Sequence, residues 1–510
     1  MAKSKTPTYV LTLQLKTTKY DEIVLNKRLE IGRHLYNSVL GQALERYKTL
    51  AERKQYRKLK QELKDINKKY HNCNDKKKIT EINKIRNAKY KELKQLHSEF
   101  GLDEYSLINN ITPMYKPFKK NIDSRTAQAI ASRSWKAMDK LINGDSKKVY
   151  FKRFGEFNSI ENGYNKSGLK YQNGYIIWNG LEIPIIIKNN DTYAQKAIQD
   201  KVKFCRIARK EVKGKTKYYV QLILEGIPPK KINKKTGKTK GQTGNGNVGI
   251  DIGTQTIAIS SEYDVKLLEL APSINNIDRE IKLLQRYMDR SRRSMNPKKY
   301  NEDGTIKRGN KDKWIFSNRY LKAKARRKEL YRKQTEIRRQ DHYKMINWLL
   351  ILGDKFYVED MNYKGLQARS KKTSINEKTK KFNKKKRFGK SLANKSPSAL
   401  LTMINNKLKY NDEKLYKIDT KKCKCSQYNH FTDEYNKKEL KDRWNKDIEI
   451  QRDLYSSFLI MNVTGKKLDK IDRNRCIETY DNFKILHDKE INRLKELKRN
   501  GYKLISSMGI

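Results

Sequence analysis

Three acidic side chains stand among residues that otherwise read as core. In NVGIDIGTQTIAIS, residues 247–260, Val248, Ile250 and Ile252 alternate with Gly249, Asp251 and Gly253. A period of two sends one set to each face of a strand, so Asp251 is a lone carboxylate in an apolar run. An unpaired carboxylate is costly to bury, and such a residue needs a partner or a metal. In FYVED, Phe356 and Val358 face one way while Tyr357 and Glu359 face the other, which puts a second carboxylate at a strand end. In IEIQRDLYSSFLIMNV, Ile450, Leu454, Phe458 and Leu459 form a core-facing helical stripe. Asp453 lies at the edge of that stripe, beside the small Ser456 and Ser457.

Carboxylates on a first strand, a later strand and a late helix are the donors a two-metal phosphodiesterase needs. Mg2+ prefers carboxylate oxygen and keeps waters and substrate phosphates in its shell. Two such ions about 4 Å apart activate the attacking water and steady the leaving oxygen. On this reading Gly249 and Gly253 lack side chains so that a phosphodiester backbone can approach. Each acid also has an ordinary reading: Asp251 as a turn or cap residue, Glu359 with Asp360 as a solvated strand end, Asp453 after Arg452 as a surface ion pair. Spacing alone does not bring the three together, and both readings stand at this point.

The elements around them divide into two halves. Residues 8–18, TYVLTLQLKTT, alternate like a strand, and helical segments are expected from about Ile31 to Leu63, near 76–99 and near 123–143, the last opened by an Asp-Ser cap signal. From about 147 the texture turns to short β-like pieces, KKVYFKRF, GYIIWNG, LEIPIIIK, VKFCRIARKE and KYYVQLILEG, which the opening strand can join with the helices inserted between. Residues 227–247, IPPKKINKKTGKTKGQTGNGN, read as a linker. Beyond it strands and helices alternate, with a helix over PSINNIDREIKLLQRYM capped by Ser273, a long basic helix ending near Leu352, a Lys-rich loop at 366–395 and a helix from about Ile448. That order predicts an α/β domain.

The 510 residues carry 117 Lys and Arg against 57 Asp and Glu, a formal charge of +60. The excess runs through the whole chain, so a folded body repels itself unless a polyanion neutralises it. Nucleic acid is the natural partner, with affinity falling steeply in salt. Trp135, Tyr150 and Phe151 stand beside basic residues and can stack bases or pack in a core, and the lysine runs at 371–387 suit generic backbone contact. His34, His71, His97, His342 and His487 are scattered, and no serine triad or phosphate loop is present. Five cysteines argue against a disulfide framework. There is no signal peptide and no apolar run long enough for a membrane, so the expected location is the cytoplasm of a bacterium, in association with its nucleoid.

VGIDIGTQTIAIS resembles the first, YVEDMNYKGL the second and IQRDLYSSFLI the third RuvC motif of TnpB, the transposon-encoded RNA-guided nucleases. Upstream, YNSVLGQALERYK is similar to the family's first helix, KVYFKRFGEFNSIE to its Arg-Phe-Lys segment, and CRIARKEVKGKTKYYVQLILE to the strand pair before the nuclease domain. The likeness covers most of 8–460 in the family's order. It implies an RNase H-like (RuvC) nuclease domain plus an N-terminal β-barrel-like wedge domain with an inserted helical recognition domain. The implied boundaries are first wedge strands at 1–30, recognition helices at 31–145, remaining wedge strands at 146–228, a linker at 229–246 and the nuclease domain at 247–463. Residues 464–510 match no part of the family.

The resemblance further implies that Asp251, Glu359 and Asp453 hold two Mg2+ ions, and that a guide RNA and a target DNA are the partners, base pairing reading the sequence. Two departures matter. The family's zinc-ribbon cysteines follow its Ser-Gln, yet after Ser426-Gln427 come Tyr428, Asn429 and His430, while Cys423 and Cys425 precede it. Four paired ligands are lacking, and a zinc-free hairpin is predicted over 421–446. In the third motif Tyr455 replaces the usual Asn, and Ser456 and Ser457 replace two alanines. A type V CRISPR effector is the near alternative, and a repressor that binds DNA through its RNA without cutting is the distant one.

Overall fold

A computed structural model of the chain describes residues 6–510 apart from 74, 233–235, 238–242, 371–372, 378–382, 384–387, 438, 440–441 and 446. Parts of the expected linker, of the 371–387 lysine runs and of the 421–446 hairpin therefore lie outside the described residues. The fold is mixed α/β, in two compact units that divide at Pro229 and Lys230.

In the first unit, β1 (Thr8–Leu15) is followed by α1 (Lys19–Glu52), α2 (Lys54–Asn72), α3 (Lys76–Glu99), α4 (Glu104–Tyr115) and α5 (Ser124–Ile142). Helix α1 begins at Lys19, well before the expected Ile31. Thr18 accepts from the Asp21 amide and Asp21 accepts from the Thr18 amide, a reciprocal cap that starts the helix there. Then come β2 (Ser159–Glu161), β3 (Lys170–Gln172), β4 (Tyr175–Trp178), β5 (Leu181–Ile186), α6 (Thr192–Ala197), β6 (Val202–Val212) and β7 (Lys215–Glu225). The seven strands pair antiparallel in the order β2-β6-β7-β1-β5-β4-β3, so β1 sits mid-sheet with five helices inserted after it. The ring is not closed by a ladder among the described residues. Its two edges approach through Asn162, whose side-chain amide donates to the Ser167 and Leu169 carbonyls. KKVYFKRF forms no strand; Lys152 there exchanges two hydrogen bonds of 2.9 Å with the Asn37 side chain of α1 instead.

The second unit is built on β8 (Asn247–Ile252), β9 (Thr256–Ser261), β10 (Val265–Glu269), α7 (Asn275–Met295), α8 (Asn318–Leu352) and β11 (Lys355–Glu359). Ser273 does not cap α7; its amide donates to Asp341, and Ile274 occupies the cap position without a side-chain bond. After α9 (Tyr363–Leu366), α10 (Gly389–Lys395) and α11 (Pro397–Leu408) comes β12 (Leu415–Ile418). Sheet order is β10-β9-β8-β11-β12: β8 to β10 are antiparallel, and β11 runs parallel to both β8 and β12.

Beyond β12 lie α12 (Thr420–Cys423), the two-residue pairs β13 (Tyr428–Asn429) with β14 (Glu434–Tyr435) and β15 (Trp444–Asn445) with β16 (Ile450–Gln451), and then α13 (Arg452–Met461). A last pair, β17 (Val463–Thr464) with β18 (Lys470–Ile471), leads into α14 (Arg473–Arg499). Two cores sandwich the five-stranded sheet. Val248, Ile250, Phe356 and Val358 pack against α8 and α11, while Leu267 and Ala258 pack against Phe458 of α13 and Phe483 of α14. Two hydrophobic faces explain why β8 and β11 are so apolar. Among the described residues no helix is long and apolar enough to cross a membrane.

Candidate carboxylate site

Asp251 and Glu359 are brought side by side by register. Val358 pairs with Ile250 in parallel, so the next position sets Glu359 beside Asp251 where the two strands end. Phe356 and Val358 belong to the core on the α8 side, while Tyr357 packs into the α13 side. Alternation therefore turns Asp251 and Glu359 toward α13. Helix α13 starts at Arg452, not near Ile448, because the Gln451 side chain accepts from the Leu454 amide at 2.8 Å and caps it there. Asp453 is thus held in the first turn, where the helix dipole favours an anion. All three acids are partly buried.

Their charges interact. Asp251 is raised well above the usual carboxyl range, first by burial and then by the charges of Asp453 and Glu359, against a smaller pull from Arg452 and Arg443. Burial also raises Glu359. Asp453 has two cations near it, Arg452 at 3.3 Å and Arg443 at 3.8 Å, so the ion-pair reading of this residue holds together with its place in the acidic cluster. The donor set, all hard carboxylate oxygen under mutual repulsion, fits a divalent cation of the Mg2+ kind. Among the described residues, however, no three His, Cys, Asp or Glu side chains gather closely enough to hold one ion. The carboxylates share a field and not a single coordination shell.

The glycines have a different explanation from the one the sequence invites. A Cβ on Gly249 would collide with the Ser457 carbonyl oxygen and the Met461 amide nitrogen. Its missing side chain lets α13 lie directly on β8 and leaves no room for a phosphodiester. At Gly253 a Cβ would meet Thr256 at 3.4–3.5 Å, ordinary contact, so a methyl fits there without displacing a neighbour. The small face of α13 serves the same approach: the Ser457 and Ser260 hydroxyls meet at 2.7 Å in the core. Tyr455 points away from the acids. It is buried, and its hydroxyl meets the amide and Nδ1 of His430 at 3.2 and 2.7 Å. His430 thus directs Nδ1 at Tyr455, while Cys423 and Cys425 hydrogen-bond to each other and Cys423 also donates to the Leu468 carbonyl.

Two further parts bear on the site, one inside the second motif and one beyond all three. Tyr363, just past Glu359, has a buried hydroxyl with no hydrogen-bond partner among the described residues. Burial and then the charges of Asp251 and Glu359 push that hydroxyl above the ordinary tyrosine value. The second is the segment 464–510. His487 of α14 accepts the Gln451 amide at 3.1 Å, and the Gln451 side-chain amide donates to the Met508 carbonyl at 3.1 Å. Glu490, fully buried, accepts from the Leu267 amide and pairs with Lys266 and Arg493. The extension is therefore part of this unit's core and fixes the residue that caps the Asp453 helix. Of the base-stacking candidates, Tyr150 and Phe151 are exposed and Trp135 is half-buried.

No protein-family model and no curated protein matches the chain. Among solved structures it is similar to the protein of a cryo-EM Cas12f1–sgRNA–target DNA complex, at 11% identity over 89% of this chain and 98% of that one, with a TM-score of 0.38. It is also similar to the protein of a CRISPR-Cas12f ternary complex, at 12% identity over 89% and 86% of the two chains, with a TM-score of 0.22.

Proposed function

We propose that this chain is an RNA-guided DNA endonuclease of the TnpB kind, encoded by a transposable element, with Asp251, Glu359 and Asp453 as its Mg2+ ligands. One observation carries the reading: acids from three distant segments lie near enough under α13 for the charges of Asp453 and Glu359 to act on Asp251, although among the described residues they do not close into one coordination shell. Mutual repulsion of buried carboxylates is unfavourable unless a cation relieves it. Strand order β10-β9-β8-β11-β12 supports an RNase H-like domain, in which the first and fourth strands bring their acids together. Bound Mg2+ would supply an activated water and neutralise the scissile phosphate. The chain's own part is to set three carboxylates on rigid elements, with Arg443 and Arg452 orienting Asp453. A charge of +60 supports guide RNA and target DNA as the partners.

The test is to purify the protein with its RNA, sequence that RNA, and offer matching DNA with Mg2+. Cleavage should vanish in Asp251→Ala while RNA and DNA binding persist, because charge and base pairing supply the binding. Equal cutting by Asp251→Ala would refute the assigned chemistry. The spread of the carboxylates and the two arginines on Asp453 favour a second reading, RNA-guided DNA binding without cutting. A parent protein that binds matched DNA tightly but never cuts it would establish that one. A transposon end or a repeat-spacer array beside the gene separates TnpB from a type V effector.

A further inference from the structure

The inserted helices of the first unit enclose a cleft of about 820 Å³ far along the chain from the carboxylates. Each of three helices gives it one stripe. Lys60, Leu63, Lys64, Asn67 and Lys68 line it from α2 at helical spacing, and Tyr90, Leu93, Lys94 and His97 line it from α3. Trp135 and Ile142 complete it from α5. Leu63, Leu93, Leu102 and Ile142 are buried and make an apolar floor. Trp135 stands half-buried in the wall, and Lys64, Lys68 and Lys94 are exposed at the rim.

The charges of the cleft are unbalanced. Four lysines, Lys60, Lys64, Lys68 and Lys94, line it with two acids, Asp103, which caps α4 by accepting from the Ser106 amide at 2.9 Å, and Asp139, which accepts from the Asn143 side chain at 2.8 Å. Lys68 lies 3.9 Å from Asp65, and among the described residues Lys64 and Lys94 take part in no ion pair. Burial and then Lys60 lower His97 to about 4, and its Nε2 meets the Tyr56 hydroxyl at 3.5 Å, so it adds no cation to the rim at neutral pH. An apolar floor, a half-exposed indole and a cationic rim together match a flat aromatic body with an anion at one end. An acidic peptide would answer the lysines but leave the indole and the floor unmatched.

We propose that this cleft takes one unpaired nucleotide of a nucleic-acid strand, its base against Trp135 and its phosphates at Lys64, Lys68 and Lys94. The inference rests on the nucleic-acid partner of the preceding section and not on cleavage. A single-stranded oligonucleotide carrying 5-iodouracil, photocrosslinked to the full-length protein and mapped by mass spectrometry, should leave adducts on Trp135 or Tyr90. Trp135→Leu should weaken oligonucleotide binding by roughly fivefold to a hundredfold, with Trp135→Phe restoring most of it. Lys64→Glu with Lys94→Glu should reduce the slope of log affinity against log salt by about 1 to 2. Melting curves of each variant show whether it is folded. Adducts lying only outside the cleft would overturn the proposal, as would folded variants binding like the parent. Displacement by polyglutamate but not by a mononucleotide would assign the cleft to an acidic peptide. No oligonucleotide binding by the parent would remove both readings, whereas cutting by Asp251→Ala would remove the nuclease chemistry and leave the crosslink intact.

Discussion

His487 on α14 accepts the backbone amide of Gln451 at 3.1 Å, and Gln451 caps the helix whose first turn carries Asp453. A residue outside all three motifs thereby sets the position of one of the three acids. Replacing His487 with Phe leaves a buried amide without its acceptor, which costs about 1–3 kcal/mol. His487→Phe should lower the melting temperature and reduce DNA cutting well below parent, with RNA binding little changed. Unaltered cutting would show that the start of α13 holds its place without α14.

Gly249 and Gly253 should behave oppositely. Gly249→Ala forces a methyl into the α13 backbone, and overpacking of this kind costs typically 1–3 kcal/mol. It should destabilise the second unit and displace Asp453. Gly253→Ala meets only ordinary contacts, so it should fold normally. Any loss of cutting in folded Gly253→Ala then reports a ligand approaching that strand end. Equal stability of the two variants, by calorimetry, would refute the close helix approach.

Asp251→Asn removes one of three mutually repelling charges. With no divalent ion present the variant should melt roughly 2–4 °C above the parent, the shift that about 1 kcal/mol produces in a domain of this size. Adding Mg2+ should stabilise the parent and not the variant. A variant that melts lower in chelator would show that Asp251 is held by compensating cations rather than strained by its neighbours.

Acid should unfold the protein through its buried histidines. His97 and His430 are lowered from 6.5 to about 4, by burial first and then by Lys60 and Arg473 respectively. His487 is lowered by burial despite Asp488. A histidine kept neutral in the fold contributes stability that is complete above its unfolded value and is lost as pH falls through the folded one. Between pH 6.5 and 4, His430 alone should remove up to about 1.4 kcal/mol per pH unit. Protonated His487 would also lose the Gln451 bond. Denaturant titrations at pH 7.5, 6 and 5 measure this, and a flat profile would contradict it.

Much of the site was legible because alternation and helical spacing are local. The pattern in 247–252 places Asp251 on the face opposite Val248 and Ile250, and FYVED does the same for Glu359. Helical spacing over α7 sets Ile274, Ile277, Ile281, Leu284 and Met288 on one stripe, of which Ile274, Ile281 and Met288 are buried and Ile277 and Leu284 only half-buried. What escaped the sequence is tertiary. A glycine needed by a neighbouring helix and one needed by a ligand look identical in one dimension, and Gly249 answers to the helix. KKVYFKRF has β-like residues but no strand to pair with, and Asn37 holds it instead. The α1 start was written in Thr18 and Asp21, a cap signal that the apolar periodicity beginning later had masked. Tyr455 and the 464–510 segment could not be placed because their partners, His430 and Gln451, are remote in sequence or carry no recognisable pattern.

The position of β1 has a consequence for synthesis. Thr8 pairs with Glu225, and the ladder between β1 and β7 is among the longest in the first unit. The opening strand must leave the ribosome and wait through the translation of five helices before its neighbours exist, offering bare hydrogen-bonding edges meanwhile. Helices α1 to α5 close on local contacts and can form in that interval, whereas the sheet has high contact order and assembles late. Slowed elongation or truncation before residue 225 should therefore yield aggregates with native-like helix content.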